Sequence, residues 1–252
     1  MDGVPAFELW IFLLATFAAA LVAGLAGFAF GLIAAAAWLH VLSPGDTAAL
    51  IVGFGLIVQG VAVWKLRRSL DPRRLWPFLA GGALGVPVGV AVLEWTQPSR
   101  LRAGVGVLLV IYSLYALARP ALKSFTGAPA LADAGVGFLS GILGGSTGLG
   151  GILPTIWCGL RGWKSDAQRA VFQPVAVAIF IMTALWLGAR GSISRVTVEL
   201  FLFGLPVLLA GTWLGLRLYG KLDPAGFRKM VLALLLASGV ALLLEQLAGP
   251  WS

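Results

Sequence analysis

The chain has 252 residues, 60% of them hydrophobic and only 11% charged, with a mean hydropathy of +0.97; soluble domains average roughly 45–50% apolar and about 25% charged, so a soluble globular protein is excluded. Eighteen Lys and Arg against ten Asp and Glu give a formal charge of +8, but no basic run interleaves with aromatics, and no nucleic-acid partner is expected. One cysteine, Cys158, and one histidine, His40, exclude an intrachain disulfide and a Cys or His metal cluster, so neither a metal nor another cofactor is expected.

The first basic residue is Lys65, so residues 1–10 lack the positive start of a cleavable signal peptide. A crossing needs about 20 apolar residues, and eight apolar stretches stand out, at 9–42, 47–64, 75–93, 101–117, 131–160, 170–187, 196–218 and 227–247. The first is 34 residues long. As one helix it would reach about 51 Å, too long for a hydrocarbon core of about 30 Å and too short for two crossings. It carries glycines in its middle, at Gly24 to Gly31, as does the fifth stretch at Gly141 to Gly151. Glycine weakens a helix, and a re-entrant hairpin of two half-helices fits both stretches.

The fifth stretch begins a second copy of the first. Gly24, Gly27, Gly31 and Leu32 match Gly141, Gly144, Gly148 and Leu149, and Asp46 matches Asp166. Gly85, Gly89, Pro98 and Arg102 then match Gly211, Gly215, Pro224 and Arg228 in the same order. Residues 1–118 are read as a first transmembrane repeat, 119–130 as a linker and 131–252 as a second repeat, a duplication common in transporters. Ser43-Pro44-Gly45-Asp46 and Ser165-Asp166-Ala167-Gln168 are capping boxes that start equivalent helices.

Loop charge decides how the stretches cross. With eight single crossings the basic residues divide evenly between the two sides. If the first stretch of each repeat returns to its own side, fourteen of the eighteen Lys and Arg gather on one face, as the positive-inside rule requires. Each repeat then has three full crossings, an odd number. The expected fold is an all-α polytopic membrane protein with two inverted repeats, each a glycine-broken re-entrant hairpin plus three transmembrane helices, with the linker in the cytoplasm.

Gly144-Gly145-Ser146-Thr147-Gly148-Leu149-Gly150-Gly151 carries the most chemistry. Five glycines in eight apolar-stretch residues bare backbone groups that hydrocarbon cannot satisfy. A half-helix starting near Gly148 would aim its free amides, with the Ser146 and Thr147 hydroxyls, at a small anion. Gly81, Gly85, Gly89, Gly211 and Gly215 are read instead as packing residues. In the following helix Gln173 and Pro174 make a polar point at membrane depth, and Gln59 lies deeper in its own helix of the first repeat. Both glutamines are candidate ligands, against the commoner reading as helix–helix hydrogen bonds. Arg169 is a candidate for recruiting the anion, or a snorkelling residue. Phe28 and Phe30 occupy the first hairpin's tip, where the second carries polar residues; the apolar tip is expected to abut an organic tail.

His40 suits a coupling proton, though an interfacial His beside Trp38 is the plainer reading. Glu94, Glu199 and Glu245 fall near helix ends and look interfacial, while Trp157, Trp186 and Trp213 are read as packing or belt residues. No paired acids at membrane depth offer a relay or a sodium site.

The glycine-rich stretch at the start of both halves, with Gly144, Gly148, Gly150, Gly151 and Pro154 in the second, resembles the sulfite exporter TauE/SafE family. The resemblance extends to the length and the duplicated arrangement and covers nearly the whole chain. It implies a multi-helix secondary transporter, an exporter of sulfite, sulfonates or related sulfur-containing anions, in a bacterial inner membrane. A coupling proton or sodium ion and a homodimer are compatible with it. Family members often have small or hydroxyl residues where this chain has Val171-Phe172-Gln173-Pro174. An anion channel, an accessory subunit and an integral-membrane enzyme are the alternatives, and an enzyme has little from which to build a catalytic constellation.

Overall fold

Each apolar stretch of the sequence is helical in the computed structural model, which describes residues 5–26, 29–67, 70–118, 129–163, 165–218 and 224–247. Among these residues there are ten helices and no strand. They are α1 (Ala6–Ala26), α2 (Phe30–Trp38), α3 (Pro44–Leu66), α4 (Pro72–Trp95), α5 (Pro98–Ala118), α6 (Ala130–Thr147), α7 (Ile152–Leu160), α8 (Ser165–Ala189), α9 (Arg195–Leu218) and α10 (Pro224–Leu247). Proline opens α3, α4, α5 and α10, where its missing N–H costs nothing because a helix leaves its first amides unpartnered anyway. The capping box at α3 forms. Ser43 Oγ accepts from the Asp46 amide at 3.0 Å and donates to Asp46 Oδ2 at 2.6 Å. Asp46 Oδ1 also takes the Thr197 hydroxyl of α9 at 2.5 Å.

Both halves run in the same order, a long helix, a nine-residue helix and three long helices. Seven helices, α1, α3, α4, α5, α8, α9 and α10, are long and apolar enough to cross a membrane. The inclusion of α1 departs from the sequence reading. Its 21 residues reach about 32 Å, so the first hairpin is a long helix with a short return and not a pair of equal half-helices. The second is also uneven, 18 residues followed by nine.

The helices group into two compact units. One contains α1, α2, α5, α9 and α10; the other contains α4, α6, α7, α8 and nearly all of α3. Each unit takes a hairpin from one half of the sequence and a glycine-faced helix from the other. In the first unit α1 packs on α9. A Cβ at Gly24 would lie 2.6 Å from the Thr212 carbonyl oxygen, and one at Gly211 would lie 2.7 Å from that of Phe17. In the second unit α6 packs on α4. Cβ atoms at Gly141 and Gly145 would each lie 2.6 Å from a carbonyl oxygen, of Gly82 and Val86. Gly81, Gly85 and Gly89 meet the α6 backbone in the same way. Real atoms do not approach so closely, so these positions admit glycine alone; the packing role read for Gly81, Gly85, Gly89 and Gly211 holds, and Gly24, Gly141 and Gly145, read as hairpin or site residues, pack in the same way.

Close packing also explains where the hairpins do not break. Gly24, Gly141, Gly144 and Gly145 stay helical, because the close contact each one permits, with the backbone of another helix or, at Gly144, with Ile179 of α8, outweighs the roughly 1 kcal/mol that glycine costs a helix. The second hairpin turns at Gly148, with φ +75°, and the first at Ala29, a non-glycine residue with φ +78°.

Within each unit the hairpin returns towards its own start. In the first, Trp38 at the end of α2 stacks on Phe12 of α1, with ring centroids 5.1 Å apart. In the second, the Trp157 indole N–H donates to Asp133 Oδ1 across 2.7 Å. Phe12 and Asp133 each lie about 21 Å along the helix from its C-terminal end, by 14 residues at 1.5 Å each.

Candidate functional site

The glycine-rich turn sits in the second unit between α6 and α7. Helix α6 continues through Gly144, Gly145, Ser146 and Thr147, Gly148 caps it in the left-handed conformation, and α7 starts at Ile152, four residues later than expected. The shift alters the donor inventory. Ser146 Oγ donates to Ile142 O at 2.8 Å and Thr147 Oγ1 to Leu143 O at 2.7 Å, one turn back in their own helix. A hydroxyl has one hydrogen, so neither remains a donor to a ligand. Thr147 Oγ1 instead accepts from the Leu149 amide at 3.3 Å, holding the turn.

The backbone amides remain. Around the turn the Gly148, Ile152 and Thr155 amides donate to Gly144 O, Leu149 O and Gly151 O. Residue 154 is proline and has no N–H. The amides of Gly150, Gly151 and Leu153 donate to no acceptor among the described residues. They lie at the N-terminal end of α7, where unpaired N–H groups and the helix dipole favour an anion.

Helices α8 and α3 close around this turn. A Cβ at Gly150 would lie 2.6 Å from Ile179 Cγ2 of α8 and 3.1 Å from the Gly144 Cα. One at Gly151 would lie 3.2 Å from Ala176 Cβ of α8 and 3.9 Å from Gln59 Nε2 of α3. The structure thus brings Gln59 and Gly151 together although 92 positions separate them in the sequence. Gln173 lies one turn before Ala176 on the same face of α8. It is 4% exposed, and its buried Oε1 has no partner among the described residues. Pro174 follows it and removes the amide that would pair with the Ala170 carbonyl. Arg169, exposed, lies one turn before Gln173 on that face.

Other expected residues fall elsewhere. Gly145 faces the α4 backbone, Gly144 faces Ile179 and Gly150, and Gly148 meets Ile51 and the Ala48 carbonyl; all three have a packing reason to be glycine. Phe30 is 4% exposed and stands edge-on to Trp38 in the first unit, its centroid 6.0 Å away. Phe28 lies outside the described residues.

The sequence reading passed over Asp133, a 7%-exposed acid in the first turn of α6. It holds the Trp157 indole, which gives Trp157 a polar role beyond packing, and it lies 3.7 Å from Arg161 Nη2. Arg161 and Arg74 in turn stand over the Trp163 ring. The start of α6, the end of α7 and the start of α4 therefore share one basic, aromatic-rich end of this unit, while Glu94 pairs with Arg190 across 3.3 Å at the far ends of α4 and α8. An Asp amid apolar residues, 24 positions before a Trp, was the available signal.

A family model, Sulfite exporter TauE/SafE, matches residues 12–242. Searches of curated proteins and of solved structures returned no match. The match spans nearly the whole chain and includes both hairpins, the unpaired amides and both glutamines. Members of this family are membrane transporters and not enzymes, and the seven long apolar helices of this chain suit a multi-pass membrane protein. The chain belongs to the sulfite exporter TauE/SafE family.

Proposed function

We propose that the protein is a secondary transporter that exports small sulfur-containing anions, sulfite or sulfonates, across the inner membrane, and that it holds the anion at the turn between α6 and α7. The observation that carries this reading is the concentration of unsatisfied polarity there. Three backbone amides, at Gly150, Gly151 and Leu153, find no acceptor among the described residues, and the Gln59 Nε2 amide lies beside Gly151; Gln173, whose buried Oε1 lacks a partner, gives an anion its Nε2 hydrogens after a half-turn of its terminal amide. A buried amide without a partner costs about 1–3 kcal/mol, so a ligand that pairs with several of them binds readily. A sulfur oxyanion presents several acceptor oxygens to such donors. Hydrogen bonds to a charged group are worth about 1.5–3 kcal/mol each, and three or four offset the several kcal/mol lost on leaving water. Arg169, exposed one turn away, draws the anion to this face.

Two inverted repeats, residues 1–118 and 131–252, form the framework of this reading, and alternating access moves parts around a midplane site. It is supported by the common element order of the halves and by Pro98 and Pro224 opening equivalent helices. Cysteines placed near Gly45 and near Gly162 label from opposite faces of the membrane if the repeats are inverted; labelling from one face contradicts it.

Counterflow in proteoliposomes tests the transport reading. A carrier loaded with unlabelled sulfite accumulates labelled sulfite against its gradient, whereas a channel does not. Absence of accumulation, with labelled anion leaking freely, overturns the carrier mechanism.

A further inference from the structure

At one end of the first unit, the end of α2 meets α10 through a short chain of hydrogen bonds. His40 Nδ1 is 2.9 Å from Glu245 Oε1, and His40 Nε2 is 3.3 Å from Ser238 Oγ. Ser238 donates its hydroxyl to the Ala36 carbonyl in the last turns of α2. These contacts dictate where the hydrogens sit. With its only hydrogen on Ala36 O, Ser238 offers His40 lone pairs alone, so Nε2 must donate. An ionised carboxylate only accepts, so Nδ1 must donate to Glu245. Both ring nitrogens are donors only in the imidazolium cation. A neutral ring satisfies one partner and turns a lone pair against the other.

We propose that His40, Glu245 and Ser238 form a proton-binding site that fastens the return helix of the first hairpin to α10, closed when His40 carries its second proton and released when that proton leaves. The Ser238 lone pair facing Nε2 and the Glu245 oxygen facing Nδ1 each call for a ring hydrogen, so the geometry places the proton on the ring. Neither side chain is sealed inside the unit, His40 being 27% and Glu245 44% exposed, so the site is open to a proton from outside the packed helices. The other charges on elements packed against α2 are Glu8 in the first turn of α1, and Arg100 and Arg102 in α5. Arg102 donates to Leu42 O at 3.3 Å, which anchors the chain two residues beyond His40 independently of the proton. On α10, Arg228 and Lys229 lie in the first turns, at the opposite end from Glu245. The closed arrangement binds one proton more than the open one, so acid favours closure and alkali favours release.

His40 is the only histidine in the chain, which makes the test direct. In the full-length protein in nanodiscs, nitrogen-15 labelling of histidine gives one imidazole signal. Both ring nitrogens are expected to carry hydrogens in the closed arrangement, with one lost on release as the pH is raised. Thiol labelling of a Val41→Cys variant on a Cys158→Ala background should rise in parallel, by up to about tenfold per pH unit, the limit for one proton. Glu245→Gln and Ser238→Ala should each abolish that pH response. A ring carrying a single proton at every pH overturns the proposal, as does an unchanged labelling response in both variants. If the thiol variants do not fold, the wild-type imidazole signal alone decides. The test requires no transported anion, so its outcome is separate from that of the site in the second unit.

Discussion

Replacing Gln173 with leucine should stabilise the empty protein while weakening its anion binding. The two side chains have nearly the same volume, Gln173 is 4% exposed, and its Oε1 has no partner among the described residues. An unpaired buried amide costs about 1–3 kcal/mol in folded proteins. Leucine removes that penalty without opening a cavity. At roughly 2–4 °C per kcal/mol for a chain of this size, the ligand-free melting temperature of Gln173→Leu should rise by several degrees. A hydrogen bond to a charged ligand is worth about 1.5–3 kcal/mol, so sulfite or sulfonate affinity should fall by about ten- to 150-fold. Thr183→Val is the control. Thr183 is fully buried on α8, its hydroxyl also lacks a partner among the described residues, and it lies about 15 Å along the helix from Gln173. It should gain stability and keep its affinity. The assay is thermal unfolding of purified protein across a ligand titration, with the ligand-dependent rise in melting temperature giving the affinity. A Gln173→Leu variant that melts lower than wild type, or one that binds the anion undiminished, refutes the reasoning.

Gly141→Ala should cost about 1–3 kcal/mol by driving a methyl into the α4 backbone, whereas Gly135→Ala on the same helix, with open space around it, should be neutral or gain up to about 1 kcal/mol; thermal unfolding separates the two. Asp133→Asn should cost about 1–2 kcal/mol, since a charge-assisted bond to Trp157 becomes a neutral one and Arg161 loses its counter-charge, and limited proteolysis at the basic end should quicken. Ser146→Ala should leave flux within twofold of wild type, because the hydroxyl serves only its own helix, while Thr147→Val should lower it by leaving the Leu149 amide unpaired; a loss confined to Ser146→Ala would restore the hydroxyl as a ligand.

The membrane class and the positions of the apolar stretches were legible because burial in lipid dominates composition, and prolines and a capping box mark where helices start. Gly85, Gly89, Gly211 and Gly215 were legible as packing residues because their spacing puts them on one face. The limits of the hairpins were not. Glycine in a run reads as a helix breaker, but at Gly141, Gly144 and Gly145 the deciding contact comes from another helix, Ile179 or the α4 backbone, and nothing local reveals it. Among the described residues the left-handed one of the first hairpin is Ala29, which has no sequence signature at all. Grouping into units was hidden for a similar reason, since α4 packs on α6 from the other half. Gln59 and Gln173 could be picked out as polar residues in apolar helices, but the approach of Gln59 to Gly151 depends on how α3 and α7 pack. His40 and Glu245 each looked interfacial alone; their pairing is a long-range fact, 205 positions apart.

The most direct measurement is a structure of the protein with selenite in place of sulfite, the anion located by anomalous scattering from selenium. The anion is expected within about 3.5 Å of the Gly150 and Gly151 nitrogens and of the Gln173 amide. A selenium peak elsewhere in a protein that transports selenite would contradict it.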